Sequence, residues 1–178
     1  MASWDPAAEL EHPVDFRLAM NGPVTMFWRW SVLSETIDWL RLNAYRVVEL
    51  HADSWSSAGD MFNDAARAMD FPDYFGRNLD ALNDCMSDVA SGDYGWDVEA
   101  DTGLVIVLKR FDAFASVDRS TAQKLLDIFA NQARSALLIG HRIICLAQSN
   151  DPRLSFDPVG ATPVTWNDQE RLDSSRGM

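Results

Sequence analysis

Apolar positions along the chain fall into two rhythms, short strand-like runs and longer stretches at helical spacing. Val14, Phe16 and Leu18 alternate with polar residues, Asn21-Gly22 follows, and a mostly apolar run covers 24–30. Asn-Gly between two such runs predicts a β-hairpin, because both residues accept positive φ; Pro23 cannot donate to the ladder and weakens it. Residues 34–43 predict a short helix capped by Ser34, with Ile37 and Leu40 turned inward. Residues 46–50 predict a strand. Ser56 or Ser57 opens a helix in which Ala58, Met61, Phe62, Ala65, Ala66 and Met69 recur on one side, and Phe71-Pro72 stops it.

A further helix is predicted over 78–89, then a Gly- and Asp-rich loop over 90–102. The unbroken apolar run 104–108 is that of a strand covered on both faces. A helix over 117–134 places Leu125, Ile128 and Phe129 together, and 142–146 predicts a second buried strand. Beyond 149 the chain is polar and broken by Pro152, Pro158 and Pro163, with a short edge strand predicted at 164–166. The first thirteen residues are expected to be a loose tail and the last ten to be disordered.

Strands alternating with helices predict an α/β protein. The expected form is a small parallel sheet of about three strands packed with helices, extended at its N-terminus by the hairpin and short helix. The chain divides accordingly into 1–45, the added N-terminal segment; 46–148, the α/β domain; and 149–178, a Pro-rich polar tail.

Charge alters this picture more than composition does. The net charge is −12 over 178 residues, with a pI near 4.5, which disfavours nucleic acid and favours a basic partner. Nine acids and one base, Arg77, lie between Asp70 and Asp101, so two-thirds of the excess charge sits around one helix and its flanking loop. No stretch of the sequence reads as a membrane span or a signal peptide, and Cys85 and Cys145 form no pair motif. A cytoplasmic location with reduced thiols is expected.

On the predicted helix Leu79, Leu82, Cys85, Met86 and Val89 fall on one side, and Asp80, Asn83, Asp84, Ser87 and Asp88 on the other. Asp80 and Asp84 are surface neighbours, and like charges at that spacing destabilise a helix by roughly 0.2–0.5 kcal/mol. Tyr74, Phe75, Tyr94 and Trp96 are expected to border the acidic face, as aromatics do at interface centres.

The stretch FPDYFGRNLDALNDC at 71–85 closely resembles the signature of the barstar family, intracellular inhibitors of barnase-type ribonucleases. The resemblance extends over about residues 46 to 147. It implies that Asp84 enters the phosphate-binding centre of the nuclease and that Asp80 pairs with a nearby basic or amide group. It implies as well that Tyr74, Gly76 and Asn78 line the contact, with Phe75 among them. The family's interface tryptophan stands here as Asn83, and two acidic contacts on the later helix stand as Asn131 and Ser135. The implied partner is a basic ribonuclease or related toxin. The neutral residues Asn83 and Asn131 leave open an interaction module for a different basic protein.

No catalytic group, metal site or cofactor is expected. Cys85 lies on the apolar helix face, His12, His51 and His141 have no ligand spacing, and the Asp93, Asp97, Glu99, Asp101 run lacks the order of a calcium loop. No phosphate-binding glycine loop or hydrolase motif occurs.

Overall fold

Leu104, Ile106 and Leu108 project to one side of a strand and Val105 and Val107 to the other, and all five are fully buried, so helices must cover both faces. That strand is β3 (Gly103–Lys109) in a computed structural model that describes residues 12–172. Its neighbours are β2 (Tyr45–His51) and β4 (Ile143–Gln148), and β1 (Val24–Phe27) and β5 (Thr165–Trp166) complete the sheet in the order β2-β3-β4-β1-β5. Every pairing is parallel. The helices are α1 (Val14–Asn21), α2 (Trp30–Leu42), α3 (Ala58–Ala68), α4 (Leu79–Ser91), α5 (Phe111–Val117) and α6 (Arg119–Leu138).

Two cores result. Leu18 of α1 and Val32, Leu33, Ile37 and Leu40 of α2 pack on Phe27, Val105, Val107, Ile144 and Leu146. Helices α3 to α6 pack on the opposite face, against Val48, Leu50, Leu104, Ile106, Leu108 and Cys145. The α/β class and parallel sheet agree with the sequence; β2, β3 and β4 are the expected core of about three strands, and β1 and β5 bring the sheet to five.

The predicted hairpin is not formed. Residues 14–21 are helical, with Asp15 in the first turn, and Gly22, at φ 113, ends the helix by donating its N–H to Ala19 O at 3.2 Å. Three alternating positions are too few to separate the two periods, since Val14 and Leu18 are also four apart and share a helical face. Strand β1 then pairs with β4, more than a hundred residues on, instead of with its sequence neighbour.

Helix α2 starts at Trp30, four residues ahead of the expected Ser34 cap. The predicted 117–134 helix is α6, which starts at Arg119 and runs on to Leu138; the short α5 ahead of it was not predicted, and Asp118 between the two caps α6 by accepting from Thr121 N at 2.9 Å. The Thr121 hydroxyl, which donates to the other carboxylate oxygen at 2.6 Å, and then the capping bond hold the Asp118 carboxyl below the usual carboxylate range.

The C-terminal segment is packed further than its polarity suggested. Strand β5 pairs with β1, matching the expected edge strand, and Asn167 N donates to Met26 O at 2.9 Å. Glu170, within the stretch expected to be disordered, is fully buried. It accepts from Trp28 N at 2.9 Å, Arg29 N at 2.7 Å, Arg29 Nε at 3.3 Å and Asn167 Nδ2 at 3.2 Å. A buried carboxylate is held only when its oxygens are filled, and the orphan N–H groups entering α2 fill them. Residues 1–11, most of the expected loose tail, and 173–178 lie outside the described residues.

Replacing Glu170 by Ala should therefore remove about 2–4 kcal/mol of stability, because it removes the buried acceptor shared by the backbone N–H groups of Trp28 and Arg29. Urea unfolding measures this; an unchanged midpoint would show that the C-terminal segment holds nothing in place.

Candidate functional site

The acidic helix is set up by the turn that precedes it. Asp70 adopts a left-handed conformation, φ 54, and Phe71 N returns to Ala66 O at 2.9 Å, closing α3. Pro72 O then accepts from Phe75 N at 2.9 Å, and this tight turn sends Phe71 and Phe75 inward and Tyr74 outward. Tyr74 is 81% exposed, as a contact residue must be. Phe75 is 5% exposed and packs edge-on against Phe71 and Phe62 at 5.1 and 6.2 Å. Its expected place on the contact surface is therefore corrected: its ring fills the gap under the turn. Gly76 is exposed, and a Cβ there would meet Asn78 Nδ2 at 3.2 Å and Ala81 Cβ at 3.4 Å, so the turn has little room for a side chain.

Arg77, also left-handed at φ 49, donates from Nε to Asn63 Oδ1 at 2.8 Å and ties the turn to α3. Asn78 caps α4: its Oδ1 accepts from Ala81 N at 2.8 Å and its Nδ2 donates to Gly76 O at 3.3 Å. The cap starts the helix so that Leu82, Cys85, Met86, Val89 and Ala90 are buried. Asp80, Asp84 and Ser87 are then exposed. Neither Asp80 nor Asp84 has a hydrogen bond or ion pair among the described residues.

The far end of α4 is clamped by residues expected to border the acidic face. Tyr94 Oη donates to Cys85 O, with Asp88 Oδ2 also at 3.1 Å, and Trp96 Nε1 donates to Val89 O at 2.8 Å. His141 Nδ1 lies 2.9 Å from Ala90 O, with its ring edge-on to Trp96. Burial, with Cys85 and Asp88 beside it, pushes the Tyr94 phenol up, so it remains a donor at ordinary pH. Tyr94 and Trp96 are thus engaged with the helix end. Asp97 Oδ1 is likewise engaged, accepting from Glu99 N and Ala100 N at 3.0 and 3.3 Å. Among the described residues no group of three or more His, Cys, Asp or Glu has a geometry that could hold a metal.

Helix α6 lies alongside α4. Gln132, 7% exposed, donates from Nε2 to Asn83 Oδ1 at 3.0 Å and reaches Asn83 O at 3.3 Å. Asn131, next to it, is exposed, its Oδ1 accepting from Arg134 at 3.0 Å. The structure thus gathers Tyr74, Gly76, Asn78, Asp80, Asn83 and Asp84 on one turn-helix unit and adds Asn131 from the neighbouring helix. Gln132 was missed, although the sequence carries its signal, a polar residue in the buried row Leu125, Phe129, Gln132, Ala136. Both cysteines are buried free thiols, and burial pushes the Cys145 thiol up. No helix among the described residues is long and apolar enough to cross a membrane.

The model of the family described as Barstar (barnase inhibitor) matches residues 45–148, which include the whole of α4 and α6. A protein of Bacillus subtilis (strain 168) named "Putative ribonuclease inhibitor YrdF" is 38% identical over 68 residues, covering 38% of this chain. The match spans 64% of that relative, slightly less than two thirds of its length.

Two substitutions separate what holds α4 from what it displays. Asn78→Ala should lower stability by about 1 kcal/mol through the lost cap. Asp84→Ala should raise it by about 0.5–1 kcal/mol, since it relieves repulsion with Asp80 and introduces a better helix former. Denaturant unfolding checks both; a clear loss of stability in Asp84→Ala would mean its carboxylate has a partner within the fold.

Proposed function

The chain belongs to the barstar family, and from that premise we propose that it inhibits a basic, barnase-type ribonuclease by laying the acidic face of α4 across the nuclease's active site. The observation that carries this reading is the pair Asp80 and Asp84: exposed, one turn apart and without counter-ions among the described residues, on a helix held at both ends. Carboxylates so fixed take the place of RNA phosphates among Arg and Lys, and charge-assisted bonds between them are stronger than neutral ones. Little ordering entropy is lost, because the Asn78 cap and the Tyr94 and Trp96 clamps hold the helix before the partner arrives.

In this reading Asp84 is the central carboxylate and Asp80 its neighbour one turn earlier. Tyr74 borders them with an exposed ring, Gly76 and Asn78 line the approach, and Asn83 and Asn131 complete the surface. Phe75 supports the turn from inside. The protein contributes no catalytic group and acts in the cytoplasm, where the buried thiols stay reduced. A second reading, a module for a different basic protein, is favoured by Asn83 and Asn131, which are uncharged.

Titrating the protein against barnase-type ribonucleases tests the proposal: activity should vanish at a stoichiometric ratio, and association should slow steeply with added salt. Steering by charge raises on-rates to about 10⁸–10⁹ M⁻¹s⁻¹ at low salt, against about 10⁵–10⁶ without it. Full nuclease activity at a large excess of the protein, across such enzymes, would remove the inhibitor reading.

Substitutions within α4 should separate centre from rim. Asp84→Ala should weaken the complex by about 3–6 kcal/mol, since it leaves cations desolvated and unpaired. Asp88, turned toward Tyr94, should matter by less than about 1 kcal/mol when replaced by Ala. Equal losses at the two positions, measured against one ribonuclease, would point instead to a diffuse acidic surface.

A further inference from the structure

We infer that Gln132 holds Asn83 so that it points an amide N–H pair outward, making Asn83 a hydrogen-bond donor set among the acceptors Asp80 and Asp84. The partner's matching group is then an acceptor, a backbone carbonyl or carboxylate, flanked by cations. The inference rests on the reading of α4 as the inhibitory face and specifies what that face selects.

The orientation follows from one shared contact. A single Gln132 atom sits 3.0 Å from Asn83 Oδ1 and 3.3 Å from Asn83 O. A backbone carbonyl only accepts, so the Gln132 atom there is its amide nitrogen. An oxygen in that place would face two acceptors, and a buried Gln132 amide left without its bonds costs about 1–3 kcal/mol. Since Gln132 donates, the Asn83 atom it meets is the oxygen, and Asn83 Nδ2 lies on the far side of its amide. That nitrogen has no partner among the described residues, and Asn83 is only half-buried.

Helical spacing puts this donor beside the two carboxylates. Asp80 is three residues earlier, Asp84 is adjacent, and Ser87, also exposed, is one turn later. The surface is therefore acceptor, donor, acceptor along the helix. Gln132 acts as a positioning residue: it is closed off from solvent, and its contribution to recognition passes through Asn83. An apolar residue would suit its buried row equally well for packing, but would leave the Asn83 amide free to flip.

The test sets hydrogen-bond polarity against charge. Asn83→Asp keeps the acceptor that Gln132 needs, adds a negative charge toward a basic partner and replaces the outward donor with an acceptor. Attraction by charge alone would tighten binding. The inferred donor requires the opposite, a loss on the order of tenfold or more in affinity for barnase as probe. An unchanged or tighter complex overturns the inference alone, whereas no complex with the wild-type protein overturns the inhibitor reading and the partner assigned here with it.

Gln132→Met, which keeps the shape and removes the donor, should weaken binding several-fold in the wild-type background and have no further effect on Asn83→Ala. A loss of equal size in both backgrounds would mean Gln132 acts only on the fold. In the free protein, side-chain amide exchange by NMR should find the Gln132 N–H₂ protected and the Asn83 N–H₂ open to solvent. Fast exchange at both overturns the orientation whatever the partner does.

Discussion

Everything at the acidic face depends on the apolar underside of α4. Leu82, Cys85, Met86 and Val89 are buried in the core that covers one side of the sheet, and this fixes the helix in rotation as well as in place. With 3.6 residues per turn, a helix whose inner row is set has no freedom over its outer row: Asp80 and Asp84 face away because Leu82 and Met86 face in. Their mutual repulsion is a few tenths of a kcal/mol against the several contributed by four buried apolar side chains, so the charges do not loosen the helix that carries them.

The polar contacts around α4 add direction. Asn78, Arg77, Tyr94, Trp96 and Gln132 together engage the start, the end and the flank of the helix while leaving its two central carboxylates untouched. Asn78 satisfies an orphan backbone N–H at the helix start and Gln132 an amide oxygen between helices, while Tyr94 and Trp96 add bonds to carbonyls toward the helix end. Rigidity without neutralisation is what a carboxylate needs in order to replace a phosphate among cations, because a local counter-ion would have to be displaced first.

Long periodic stretches were legible in the sequence and short ones were not. Helix α4, with its five-residue apolar row and its Asn78 start, was read to within two residues. The run over β3 likewise declared a strand covered on both faces. Residues 14–21 misled because three alternating positions fit a helix as well, and Asn21-Gly22 serves a helix end as readily as a turn. Phe75 and Trp96 show a different limit: an aromatic beside an acidic patch looks the same in sequence whether it faces a partner or fills the space beneath. Glu170 was hidden for a related reason, since a carboxylate in a polar segment gives no sign that distant backbone donors await it.

The position of β1 between β4 and β5 has a consequence for how the chain is made. β1 is complete by residue 27, yet its partners begin at Ile143 and Thr165, so both its edges stay bare until more than a hundred further residues have been synthesised. At a translation rate of about 5–20 residues per second, that is an interval on the order of ten seconds. Strands β2 and β3 can pair well before that, and α4, which lies between them in sequence, can already be seated. Pairing across such separations is slow because loop closure comes before any gain from the contact. The nascent protein thus carries a largely apolar, unpaired strand through that interval, and the joining of β1 to the sheet is the step at which aggregation competes with folding.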